Sequence, residues 1–182
     1  MTVYISLLRG INVGGNKKIK MADLRDLYES LGFTGAKSLL QSGNIVFESD
    51  TGDVDALAKQ IETGIEKAFG FHSDIIIRTA AELEDVIAAN PFTDMEVVDP
   101  GKLLVTFFPR EPDKQTVKTL LDTYEGPEKI HFRGREMYVY YTEGAGRSKL
   151  TPAANKLKPS GTARNWRTIE KLAALADEFE AS

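Results

Sequence analysis

The residues best equipped for chemistry lie in three polar segments. The first, Arg9-Gly-Ile-Asn-Val-Gly-Gly-Asn-Lys-Lys, sets glycines among Arg9, Asn12, Lys17 and Lys18 and holds no acid. A glycine loop at the start of a helix presents backbone N–H groups and a helix dipole to a phosphate, and adjacent cations strengthen the hold. Gly14 and Gly15 supply the unobstructed backbone such a cradle needs. Gly10 and Gly15 have the spacing of the nucleotide-binding P-loop, but Asn16 stands where its lysine belongs and Lys17 where its hydroxyl belongs. The usual magnesium ligand is then missing, which excludes a P-loop NTPase, and there is no GxGxxG. The second segment, Gln41-Ser-Gly-Asn, offers two amides and a hydroxyl, from Gln41, Ser42 and Asn44, at a turn tip. The third joins Arg147, Ser148 and Lys149 with Arg164, Asn165 and Arg167 near the start of the final helix. Arginine there supplies a planar fork matched to phosphate, and Asn165 is placed as a helix cap.

Each segment also has a plain structural explanation: glycines that turn the chain, lysines left in water, a hairpin tip, a helix cap. Two functional readings stand beside it. One is a binding protein for a phosphate-bearing ligand, a nucleotide or nucleic acid, with the three segments converging on one electropositive site. The other is an enzyme acting on a small anionic metabolite, where the same cations orient substrate and Ser42, Ser148 or a carboxylate does the chemistry. An interaction module with no ligand is the third possibility. His72 and His131 lack any ligand spacing, so no metal site is expected, and no motif calls for a cofactor. No GxSxG elbow occurs.

Composition narrows the classes further. The chain has 182 residues, 42% of them hydrophobic, enough to fill one large core or two small ones. With no cysteine, disulfides, thiolate nucleophiles, iron–sulfur clusters and cysteine-based zinc sites are excluded. The formal net charge of -4 is unevenly spread: Arg9 to Lys20 carries only basic charges, as does Arg147 to Ile169, so the remainder is strongly acidic. Such segregation points to an anionic partner. The apolar run Val3 to Leu8 reads as a strand rather than a signal peptide, and no run approaches membrane-span length. No membrane partner is expected, and a reducing cytoplasm is the expected compartment. Oligomeric state leaves no mark on the sequence.

The elements that must position these segments follow from periodicity. Val3 to Arg9 is a strand apolar on both faces, and Leu24, Leu27, Tyr28 and Leu31 recur with helical spacing from Met21 to the stop at Gly32. Strands at Ala36 to Gln41 and Asn44 to Glu48 flank a tight turn at Ser42-Gly43. Asp53 caps a helix lined by Leu57, Ile61 and Ile65 that Gly70 ends, and three isoleucines mark a strand from Asp74 to Thr79. The order βαββαβ is that of ferredoxin-like folds. Thr79 and Glu82 form a capping box for a linking helix, and Asp94, Glu96 and Asp99 read as a solvated acidic loop. The pattern then restarts with a strand at Lys102 to Phe108, a helix at Asp113 to Tyr124, and strands at Lys129 to Arg133 and Glu136 to Thr142. It closes on a helix whose stripe begins at Trp166, with no clear closing strand. The expectation is an α+β protein of two tandem ferredoxin-like subdomains with antiparallel sheets: residues 1–79, a linking helix and loop at 80–100, and 101–182.

Sheets of this kind also bind RNA through exposed aromatics. Val3-Tyr-Ile-Ser-Leu-Leu is similar to the first-strand RNA signature, but Asn44-Ile-Val-Phe-Glu lacks the basic-Gly-aromatic pattern of the second. Tyr138 and Tyr140 share a face and could stack bases, though packing in the core is the expected use.

Taken together, the motifs resemble the DUF1697 family of uncharacterised bacterial proteins across nearly the whole chain. The resemblance rests on Leu8-Arg-Gly-Ile-Asn-Val-Gly-Gly with Met21 opening the helix, on Gln41-Ser-Gly-Asn-Ile-Val-Phe, and on Ser148-Lys-Leu-Thr followed by Thr162-Ala-Arg-Asn-Trp-Arg-Thr and Lys171-Leu. One departure is Leu39, where the family carries an aromatic. The resemblance implies two α+β subdomains of ferredoxin-like type and implies no activity.

Overall fold

In the computed structural model, which describes residues 1–93 and 99–181, the chain builds two four-stranded antiparallel sheets. It divides into two compact units, one of Met1–Asp85 with Glu170–Ser182, the other of Val86–Ile169. Asp94 and Glu96 of the acidic loop lie outside the described residues.

The first unit runs β1 (Thr2–Leu8), α1 (Met21–Ser30), β2 (Thr34–Ser38), β3 (Asn44–Ser49), α2 (Val54–Phe69) and β4 (Ile75–Thr79). The strand order β2-β3-β1-β4 is the ferredoxin-like arrangement. Alternation along β1 sends Tyr4 and Leu8 to the face shared with Ile45, Phe47, Ile75 and Ile77, where Leu24 and Tyr28 of α1 and Leu57, Ile61 and Ile65 of α2 complete the core. Phe47 stacks on Phe33 at 4.7 Å and meets the edge of Tyr28 at 5.4 Å. Ser6 is tolerated there because its hydroxyl shares a 2.7 Å hydrogen bond with that of Tyr28. The opposite face, with Val3, Ile5, Leu7, Val46 and Ile76, is buried as well.

Local signals act as the sequence indicates. Asp53 accepts from the Ala56 amide at 3.1 Å, and Gly70 ends α2 in the left-handed conformation. Thr79 and Glu82 exchange side-chain to backbone bonds of 3.1 and 3.0 Å and open α3 (Ala80–Ala88). The hairpin differs from expectation. β2 ends at Ser38, and a wider connection of residues 39–43, with Leu40 at φ +61°, is closed by the Leu39 amide on the Asn44 carbonyl at 2.9 Å.

The second unit runs β5 (Leu103–Phe107), α4 (Lys114–Thr123), β6 (Lys129–Arg133), β7 (Glu136–Tyr140), α5 (Leu150–Ala154) and β8 (Thr162–Asn165), followed by α6 (Trp166–Ala181). Its order β6-β7-β5-β8 repeats that of the first sheet. The repeat is therefore complete, and the expectation of a missing closing strand is corrected by β8. Thr162-Ala-Arg-Asn is short and polar, with Thr162 and Arg164 turned inward, so apolar alternation could not reveal it; pairing with β5, Arg164 opposite Val105, does.

Both aromatic candidates for base stacking are buried in this unit. Tyr138 donates to the Val86 carbonyl at 2.6 Å, and the Tyr140 hydroxyl accepts from the Asp99 amide at 3.2 Å. Tyr4 and Phe47 are buried likewise, so among the described residues neither sheet offers the open aromatic surface that RNA recognition on such folds uses. No helix among the described residues is long and apolar enough to cross a membrane.

Candidate functional site

The loop between β1 and α1 is shaped by one amide side chain. Asn12 sits at φ +54°, a left-handed conformation that asparagine tolerates better than most residues. Its Nδ2 donates to the carbonyls of Ile19 at 3.1 Å and Gln41 at 2.7 Å, and its Oδ1 accepts from the Ile19 amide at 2.9 Å. The ends of the loop are thereby clipped together and onto the hairpin tip. Buried Ile11 and Ile19 anchor the same two points. Between them Gly14 and Gly15, at φ +59° and +80°, make a turn closed by the Asn16 amide on the Val13 carbonyl at 3.0 Å.

Gly43 brings the hairpin against this loop. A Cβ there would stand 2.6 Å from Ile11 Cδ1 and 2.9 Å from Leu8 Cβ, so close packing and φ +86° both demand glycine. Asn44 is buried and donates to the Leu39 carbonyl at 2.8 Å and to Ser42 Oγ at 3.0 Å. The amide that the sequence offers to a ligand is thus used to close the hairpin, because a buried amide must be satisfied internally.

At the start of α1 these pieces border an open cavity of about 710 Å³. Asn12, Gly15, Lys18, Lys20, Asp23 and Gln41 supply its polar lining, and Ile19, Met21 and Phe69 its apolar part. Side chains accept from first-turn amides at α2 (Asp53), α3 (Thr79), α4 (Asp113) and α6 (Asn165), whereas none among the described residues caps α1. Its N-terminus, with the positive end of its dipole, opens beside two lysines. Lys20, Asp23 and Phe69 were not among the residues singled out from sequence. Lys20 was within reach of that reading, since it belongs to the acid-free run; Phe69 comes from the far end of α2.

A second group of charges braces the loop from behind. Lys17 Nζ donates to the His72 carbonyl at 2.7 Å and lies 6.0 Å from the centre of the Phe71 ring. The His72 ring meets Glu66 through Nδ1 at 2.9 Å and Asp74 through Nε2 at 2.8 Å. Arg9 lies 3.9 Å from Asp74 and accepts at its carbonyl from Ser73 at 2.8 Å. The bonds to Asp74 and then Glu66 raise the imidazole above its ordinary pKa.

The C-terminal basic residues belong to the second unit and have structural partners. Arg164 is buried in β8, donating to Thr162 Oγ1 at 2.7 Å and to the Ala163 carbonyl at 2.9 Å, and burial pulls it down to about 10. It is not an exposed fork at the helix start, because strand alternation turns it inward. Asn165 caps α6 as expected, accepting from the Arg167 amide at 2.9 Å, and also donates to the Gly101 carbonyl at 3.0 Å. Arg167 lies 3.9 Å from Asp99. Ser148 donates to Glu128, whose second oxygen accepts from Tyr124 at 2.5 Å. Partial burial pushes the Glu128 carboxyl up, but the Ser148 and Tyr124 hydroxyls outweigh it and hold it below the usual range. Arg147 and Lys149, on either side of Ser148, are exposed.

Fold and site define a tandem ferredoxin-like α+β protein with a glycine-loop cavity in its first repeat. The chain belongs to the family described as protein of unknown function (DUF1697), whose model matches residues 1–138. Its fold is similar to that of a conserved bacterial protein from Streptococcus pneumoniae, at 24% identity and a TM-score of 0.77 over 96% of this chain and 98% of that one. No curated protein matches it.

Proposed function

We propose that this protein binds a small phosphate-bearing ligand of nucleotide size in the cavity at the start of α1. The observation that carries the reading is the coincidence of Lys18 and Lys20 with the one long helix among those described whose first turn no side chain caps. Free N-terminal amides and two ammonium groups match the oxygens of a phosphate. The cavity volume falls in the range of small-molecule sites, roughly 300–1,000 Å³. Ile19, Met21 and Phe69 suit a flat apolar moiety, and Asp23 suits a sugar hydroxyl. Buried sheet faces favour this reading over nucleic acid.

Calorimetric titration at low salt with ATP, ADP and a single-stranded oligonucleotide tests it. Nucleotide binding is expected, weakened about tenfold, or about 1.4 kcal/mol, by Lys18→Glu or Lys20→Glu. Melting temperature should hardly move, since exposed charges contribute little to stability. Absence of binding by any nucleotide refutes the proposal. Oligonucleotide binding with a steep salt dependence would replace it with the nucleic-acid reading.

A further inference from the structure

We infer that His72 acts as a protonation-dependent brace that tunes anion binding at the glycine loop, a role that rests on the ligand site proposed above. Both ring nitrogens of His72 lie within hydrogen-bond distance of carboxylate oxygens, Nδ1 at 2.9 Å from Glu66 and Nε2 at 2.8 Å from Asp74. A neutral imidazole has one N–H and one lone pair, so it can satisfy only one of these contacts and must direct its lone pair at the other carboxylate. The arrangement is therefore that of the imidazolium.

The groups facing this ring come from several elements: Glu66 and Glu62 from α2, Asp74 from the segment entering β4, Arg9 from the start of the loop after β1 through Asp74, and Lys17 from the same loop through the His72 carbonyl. Arg9 and Lys17 bracket the glycine turn, and Lys18 next to Lys17 lines the cavity. The Arg9 amide donates to the Asp74 carbonyl at 3.0 Å, and Ser73 donates to Arg9, so residues 71–74 form a strap stitched to the loop at both points. Phe71 in the strap stacks at 6.4 Å on Phe69, which lines the cavity. Loss of the His72 proton leaves Glu66 and Asp74 without their shared cation, and their repulsion loosens the strap that holds Lys17. It also removes one positive charge near the bound anion. Both effects weaken binding in the same direction.

The sign follows from the raised pKa: the braced state is complete below the ordinary imidazole pKa and is lost as pH rises through the higher folded value. Exposed charge pairs of this kind alter an equilibrium about two- to fivefold. Inorganic sulfate, dianionic throughout, serves as probe between pH 6 and 9, alongside NMR of the His72 ring and the Gly14 and Gly15 amides. In the parent protein the glycine amides should titrate with His72, above the ordinary imidazole midpoint, and sulfate should dissociate about two- to fivefold more readily at pH 9. His72→Gln should abolish both changes, and Glu66→Gln should move the midpoint down. Sulfate affinity independent of pH while His72 titrates overturns the brace and leaves the binding site standing. No sulfate binding at any pH overturns the brace as a device that tunes anion binding, while the site itself stands or falls with nucleotide binding.

Discussion

Asn12 is the residue whose loss should say most about how the loop is held. Replacement by Ala removes two donations from Nδ2 and the bond from the Ile19 amide to Oδ1. At about 1 kcal/mol for each half-exposed hydrogen bond, the loss is about 2–3 kcal/mol. Alanine must also adopt φ +54°, which costs about 1 kcal/mol more. The sum of about 3–4 kcal/mol corresponds, for a chain of this size, to a melting temperature lowered by about 6–16 °C. Asn12→Gly loses the same bonds without the backbone strain and should be about 1 kcal/mol less severe. Calorimetric melts give the magnitudes, and hydrogen exchange at the Ile19 amide gives the location, since that proton loses its acceptor in both variants. An Asn12→Ala protein melting within about 2 °C of the parent, with the Ile19 amide still protected, would refute the clip.

Gly43→Ala meets both a φ of +86° and side chains of Leu8 and Ile11 within 3 Å, so it should cost about 2–4 kcal/mol in a denaturant titration. Gly14→Ala, at φ +59° with nothing within 4 Å, should cost only about 1 kcal/mol, and equal effects would contradict the packing argument. Trp166, 9% exposed and alone of its kind, should emit at short wavelength and resist quenchers; exposed-type emission from the native protein would contradict its place in the core. Burial raises the phenols of Tyr28 and Tyr138, the latter to about 12. The stability this represents is intact below pH 10 and lost above it, so their ionisation at 295 nm should coincide with loss of circular dichroism; reversible ionisation of all six tyrosines with the fold intact would refute it.

How much of this was legible in the sequence depended on whether the signal was local. Asp53, Gly70 and the Thr79 to Glu82 box act within a few residues of themselves, so their structural roles could be read directly. The first β1–α1 loop was legible as a candidate for the same reason. Strand β8 was not, because a four-residue segment containing Arg164 becomes a strand only through a partner about sixty residues away in sequence. Side-chain economy was equally hidden. Asn44 and Ser148 are polar residues in a promising setting, but their partners, Leu39 and Glu128, lie across a turn and across a loop. The three bonds of Asn12 could not be inferred either, since Gln41 approaches only once β1 and β3 have paired.

The internal repeat itself argues that the first loop serves more than connection. Corresponding strands and helices in the two units are joined in the same order, so the β1–α1 link and the β5–α4 link answer the same geometric need. The second meets it with residues 108–113, ending in Asp113, whose carboxylate caps α4 at the Thr116 amide. Links between strand and helix are commonly this short. The first takes residues 9–20, about twice as many, includes three positive-φ glycines, and reaches α1 without a side-chain cap. Extra length, positive-φ glycines and an open helix end each cost stability relative to the short capped link. The second unit shows that the fold does not require them. If the loop exists to receive an anion, replacing residues 9–20 by a short link copied from 108–113 should give a protein that still folds, at a stability lowered by the loss of the Asn12 bonds and of buried Ile11 and Ile19, and that no longer binds nucleotide. Collapse of the fold would instead make the loop, with its Ile11 and Ile19 anchors, a structural requirement of the first unit.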